Sequence, residues 1–127
     1  EGGGVTINDD DTITNNSTWA AYVIMKVSVP VDASGNQLVT YTLGNNWKEV
    51  GRTAEAAEDR TVVIYYGYNN IIQGGQSTPK WKTAETVNND VLNKTSETYA
   101  SVGTMAYAVS AKSGMDLNKA YNEVKRG

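Results

Sequence analysis

Three consecutive carboxylates, Asp9, Asp10 and Asp11, follow Asn8 near the start of this 127-residue chain. Side-chain oxygens in such a run suit a hard cation, and Ca2+ is the ion such a cluster would take. A calcium loop spaces its ligands at alternate positions, however, and three neighbouring acids point in different directions. The run therefore reads first as an exposed acidic turn, with Asp9, Asp10 and Asp11 as weak candidate ligands for Ca2+. Glu55 and Glu58 are the other closely spaced carboxylates. They could form the acid pair of a hydrolase, but a solvated loop explains them equally well.

The absent residue types exclude more than the present ones suggest. The chain has no His and no Cys. Without His there is no Ser-His-Asp triad and no HExxH zinc motif, and the commonest general base is missing. Without Cys there is no disulfide framework and no thiolate nucleophile. A net charge of -3, from 11 basic and 14 acidic residues, argues against a nucleic-acid partner, because phosphate neutralisation needs a basic patch. No apolar run approaches the roughly 18 residues of a membrane-spanning helix. The expectation is a protein that is not an enzyme and has no cofactor. Glu1 stands where an initiator Met or signal peptide would be expected, which suggests a processed or trimmed chain.

Asn15 and Asn16 open two overlapping glycosylation sequons in Asn15-Asn16-Ser17-Thr18, and Asn93-Lys94-Thr95 is a third. All three asparagines are possible glycosylation sites, although a chain this rich in Asn, Ser and Thr produces sequons by chance. Trp19, Trp47 and Trp81 could stack on sugars, but aromatic residues in a small domain more often anchor a core.

The elements that must position these groups are strands. From Ala21, the residues Ala21, Val23, Met25, Val27 and Val29 alternate with Tyr22, Ile24, Lys26 and Ser28, the period of a strand with one apolar face. Pro30 has no N–H to donate and suits a strand end or an edge. Before this strand, three glycines (Gly2, Gly3, Gly4) lead into Val5-Thr6-Ile7, which alternates as a very short strand would. Leu38 to Leu43 reads as a second strand, and Thr61 to Tyr68, apolar on both parities, as one buried on both faces. Residues 52–60 lack an apolar stripe and read as a solvated loop or a single turn. Lys80 to Val87 alternates as a polar strand near an edge. Tyr99 to Ala111 sets Met105, Tyr107, Val109 and Ala111 against small Ala106, Ala108 and Ser110. Asp116 is a candidate N-cap for a helix with Leu117, Ala120, Tyr121 and Val124 on one side.

Short strands, turn clusters and one terminal helix predict a single all-β domain, an antiparallel β-sandwich of the jelly-roll or immunoglobulin-like kind with a short C-terminal helix.

Four segments in order resemble the TasA/camelysin family of proteins secreted through SipW-type signal peptides. Ala20-Ala21-Tyr22-Val23-Ile24-Met25-Lys26-Val27-Ser28-Val29-Pro30 resembles its AYV-x-(V/M)-K-V-x-V-P strand, and Trp47 to Val50 its W-x-x-V segment. Tyr65-Tyr66-Gly67-Tyr68, with the loop from Ile71 to Pro79, is similar to the family's YY hairpin. Ala106 to Ala111 is similar to its AYA(V/I)QA ending. The family usually has Pro where Gln73-Gly74 begins, and an aromatic or leucine pair where Lys80-Trp81 stands.

The resemblance implies an antiparallel jelly-roll-like β-sandwich, a secreted, extracellular or cell-surface subunit that polymerises with copies of itself into a biofilm-matrix fibre. It further implies donor-strand exchange, in which the N-terminal strand of one copy completes a sheet of the next. The matching donor here is Gly2, Gly3, Gly4, Val5, Thr6 and Ile7. Residues 1–18 would then form donor segment and linker, and residues 19–127 the sandwich domain. Such a subunit does not span the membrane, and other matrix components are further candidate partners. The peptidase activity associated with camelysin does not carry over, because the zinc-ligating His is missing. The competing expectation is a monomeric adhesin or carbohydrate-binding sandwich that uses the tryptophans.

Overall fold

β3 (Ala21–Pro30) lies at the middle of the molecule and is antiparallel to both of its neighbours. The computed structural model describes residues 4–54, 60–88 and 102–126. On one side β3 pairs with β6 (Thr61–Tyr68), from Ile24 opposite Gly67 to Pro30 opposite Thr61. On the other it pairs with β8 (Gly103–Ser110), from Ala21 opposite Ser110 to Ser28 opposite Gly103. β5 (Trp47–Ala54) adds to β6 and completes a four-stranded sheet in the order β5-β6-β3-β8.

The alternation in β3 determines what covers each face. Val23, Met25, Val27 and Val29 are fully buried and meet Ile13, Trp47, Ile64, Tyr66, Tyr68, Ile72 and Trp81. Above this face lie two ribbons. One pairs β4 (Val39–Leu43) with β7 (Lys82–Val87); the other pairs β1 (Val5–Ile7) with β2 (Ile13–Asn15). The second parity is apolar in its first half: Ile24, with Tyr22 beside it, packs with Val63, Tyr65, Leu117 and Ala120. That face is covered by α1 (Leu117–Arg126). The fold is all-β, antiparallel and sandwich-like, with one short C-terminal helix. No helix among the described residues is long and apolar enough to cross a membrane.

α1 starts where its sequence predicts. Asp116 Oδ1 accepts the Lys119 backbone N–H at 2.8 Å, and Lys125 and Arg126 lie in the last turn. The helix sits low on the sheet because Gly67 has no side chain. A Cβ there would lie 2.8 Å from a Leu117 methyl.

Residues 52–54 differ from the expected loop, because β5 runs on through Ala54. Its register against β6 shifts between Glu49 and Gly51. A bulge there breaks the period of two, so simple alternation does not carry through the strand. Residues 55–59 of that stretch, with Glu55 and Glu58, lie outside the described residues, as do Tyr99 to Ser101 before β8.

Tyr41 contributes its ring to an aromatic group with Tyr66 and Trp81, but its hydroxyl is buried without a hydrogen-bond partner among the described residues. Burial, with the charge of Glu85 adding to it, raises the Tyr41 pKa to about 12. Removing the orphan oxygen removes a desolvation cost of about 1 kcal/mol. Tyr41→Phe is therefore expected to unfold at higher urea than the parent, with an unchanged m-value.

Candidate functional site

The N-terminal ribbon is where the predicted residues collect, and its two strands are held very differently. β2 is built into the domain. Ile13 and Asn15 are both 0% exposed, with the half-buried Thr14 between them. The Asn15 N–H donates to the Gln76 carbonyl at 2.9 Å, the Gly75 N–H to the Asn15 carbonyl at 2.7 Å, and the Thr78 N–H to the Ile13 carbonyl at 2.9 Å. The Ile13 N–H in turn donates to the Thr78 hydroxyl at 3.1 Å. Thr14 bridges Ser77, with their hydroxyl oxygens 2.7 Å apart.

The Asn15 side chain is a hub. Its Nδ2 donates to the Trp19 carbonyl at 2.9 Å and the Ile72 carbonyl at 3.1 Å. Its Oδ1 accepts the Ser17 N–H at 3.0 Å and the Ser17 hydroxyl at 2.6 Å. One amide thus fixes the turn before β3 and the loop around Ile72. The first sequon asparagine is committed to the interior, so a glycan on its Nδ2 would displace both bonds. Asn16 is exposed and donates from Nδ2 to the Thr6 hydroxyl. Asn93 lies outside the described residues. That Asn15 is buried has no sequence signal beyond the Ser two positions later, which permits an Asx turn.

β1 has fewer such ties. Among the described residues it pairs as a strand only with β2, through Val5 opposite Asn15, Thr6 opposite Thr14 and Ile7 opposite Ile13. Gly4 precedes it, with its carbonyl accepting the Asn16 N–H at 2.6 Å, while Gly2 and Gly3 lie outside the described residues. Val5 is half-buried against the core, Thr6 is exposed and Ile7 is 37% exposed. β1 also lies against β8. Ile13 belongs to the same core as Val23 and Met25, and Val5 packs against it.

Asn8 to Thr12 makes the turn between them, and two of the three acids serve its geometry. Asp10 Oδ1 accepts the Thr12 hydroxyl at 2.6 Å and the Thr12 N–H at 3.2 Å. These bonds, the hydroxyl first, and then Lys80 hold the Asp10 carboxyl below its usual pKa. Lys80 Nζ donates to the Asp10 carbonyl at 2.7 Å. Asp11 adopts a left-handed φ of 69° and accepts the Trp81 N–H on its carbonyl at 2.9 Å. Asp9 is exposed. Among the described residues no three acidic side chains converge to hold a metal.

The tryptophans are occupied too. Trp81 is 2% and Trp47 6% exposed, and Trp47 Nε1 donates to the Pro79 carbonyl at 3.2 Å. Neither offers a face on which a sugar could stack. Trp19 is half-buried.

No family model, curated protein or solved structure matches the chain.

Proposed function

We propose that this chain is the structural subunit of an extracellular filament, in which β1 of one copy pairs with β2 of the next. It is a secreted building block rather than a catalyst. The observation that carries the reading is the contrast within the N-terminal ribbon: β2 is stitched into the domain, whereas β1 is an outer strand of three residues whose strand pairing among the described residues is with β2. Exchange re-forms in a neighbour the contacts that β1 makes at home, so its net cost is small. Head-to-tail transfer does not close on itself, and open chains of subunits result. The resemblance of four ordered segments to the TasA/camelysin family supports the same reading. The carbohydrate-binding alternative loses its main support with Trp47 and Trp81 in the core.

Deletion of residues 1–7 tests this. Ile13 and Asn15 remain with all their partners outside β1, so the truncated chain is expected to stay folded and monomeric by sedimentation and circular dichroism. Under conditions where the parent forms filaments, negative-stain microscopy should show none. Normal filaments from the truncated chain would exclude β1 as the donor.

A further inference from the structure

A strand that moves from its own β2 to the β2 of a neighbour finds the same partner residues there. The turn from Asn8 to Thr12 does not. It exists only while β1 folds back on its own chain, so its bonds are the ones that transfer of β1 fails to restore.

That turn is closely tied. The Asp11 N–H donates to the Asn8 carbonyl at 3.0 Å and closes the reversal. Asp10 Oδ1 accepts the Thr12 hydroxyl at 2.6 Å and the Thr12 N–H at 3.2 Å. The second of these is an Asx turn, which forms on a bent backbone and not on an extended one. Lys80 Nζ donates to the Asp10 carbonyl at 2.7 Å, and the Trp81 N–H to the Asp11 carbonyl at 2.9 Å. Both fasten the turn to the chain entering β7. One feature opposes closure. Asp11 holds a φ of 69°, the left-handed region, which Asp tolerates better than most residues and glycine better still. A linker running straight into another copy releases that angle.

Given transfer of β1 as the mode of assembly, we propose that the Asn8–Thr12 turn is the hinge that sets the balance between β1 at home and β1 in a neighbour. Asp10 holds it shut, and the left-handed Asp11 strains it open. The strand contacts occur on both sides of that balance and cancel, so a change in the turn shifts it by its full effect. Two substitutions outside β1 and β2 should then act in opposite directions. Asp10→Ala removes the acceptor for both Thr12 groups and should favour opening roughly fivefold. Asp11→Gly relieves the closed turn and should disfavour opening about threefold.

Native-state amide hydrogen exchange on the full chain, kept below the concentration of assembly, reads the opening directly. The Asn8 N–H is bonded to the Thr12 carbonyl at 2.9 Å and the Asn16 N–H to the Gly4 carbonyl at 2.6 Å, one at each end of the ribbon. The reference for a closed ribbon is a chain with β1 tied down. Thr6 and Thr14 face each other across β1 and β2, and the chain has no Cys, so Thr6→Cys/Thr14→Cys gives one defined disulfide on oxidation. Both amides are expected to exchange roughly fivefold faster in Asp10→Ala and about threefold slower in Asp11→Gly. The lowest concentration that yields filaments should fall in the first variant and rise in the second, a reversal that general destabilisation cannot produce. Amide rates that stay at the parental value, or move the same way in both variants, would overturn the hinge and leave transfer of β1 standing. Amide rates that move as expected, with filaments still forming at the parental concentration, would overturn transfer of β1 and with it the hinge's part in assembly.

Discussion

Asn15→Ala is expected to cost about 3 kcal/mol of stability, a large share of what a domain of this size has. The Trp19 and Ile72 carbonyls would each lose a donor inside the protein, and Ser17 would lose the acceptor for both its N–H and its hydroxyl. Each buried group left unpaired costs about 1–3 kcal/mol, partly offset where water reaches the turn. Urea denaturation should show the midpoint falling with the m-value unchanged. Asn15→Asp is the informative companion. It keeps the Oδ1 acceptor but replaces the donor with a second oxygen facing two carbonyls, so it should be at least as damaging as Ala near neutral pH. A loss below 1 kcal/mol for both variants would show that β2 is not anchored through this amide.

Gly44→Ala is expected to be more disruptive than its one added methyl suggests. A Cβ at Gly44 would fall inside the van der Waals shell of the Lys80 carbonyl oxygen, with the Trp47 ring 3.7 Å away. The obstruction is backbone, which has no rotamer to turn aside. Gly44 also donates its N–H to the Trp81 carbonyl at 3.1 Å, so relieving the clash pulls apart the bond joining the end of β4 to the chain entering β7. The expected loss is about 2–4 kcal/mol, within the range of large single-site effects. Gly35→Ala is the control: its Cβ would meet nothing within 4 Å, and only its left-handed φ of 88° resists substitution, a cost of about 1 kcal/mol. Thermal unfolding of the two variants side by side reads the difference.

Where the backbone is regular, the sequence was a good guide. Alternation in β3 located its two faces, apolar residues on both parities of β6 foretold its burial, and Asp116 caps the helix as its position suggests. Alternation failed in β5, because a bulge after Glu49 resets the parity. It also understated β2, where the Asn-Ser-Thr composition of a surface turn begins at an asparagine fully enclosed by carbonyls from Trp19 and Ile72. Ile72 is 57 residues away, and no local pattern encodes such a partner. The strand order is likewise a product of long-range pairing. The short Val5-Thr6-Ile7 strand was visible; that it rests on the outside of a firmly anchored partner was not.

Donor exchange requires β1 to leave its own β2. Oxidised Thr6→Cys/Thr14→Cys protein, with the disulfide confirmed by mass spectrometry, can be placed under polymerising conditions and followed by electron microscopy before and after reduction. No filaments are expected while β1 is locked, and filaments of parental length once the bond is reduced. Filaments that form equally well from the oxidised protein would rule out exchange of β1.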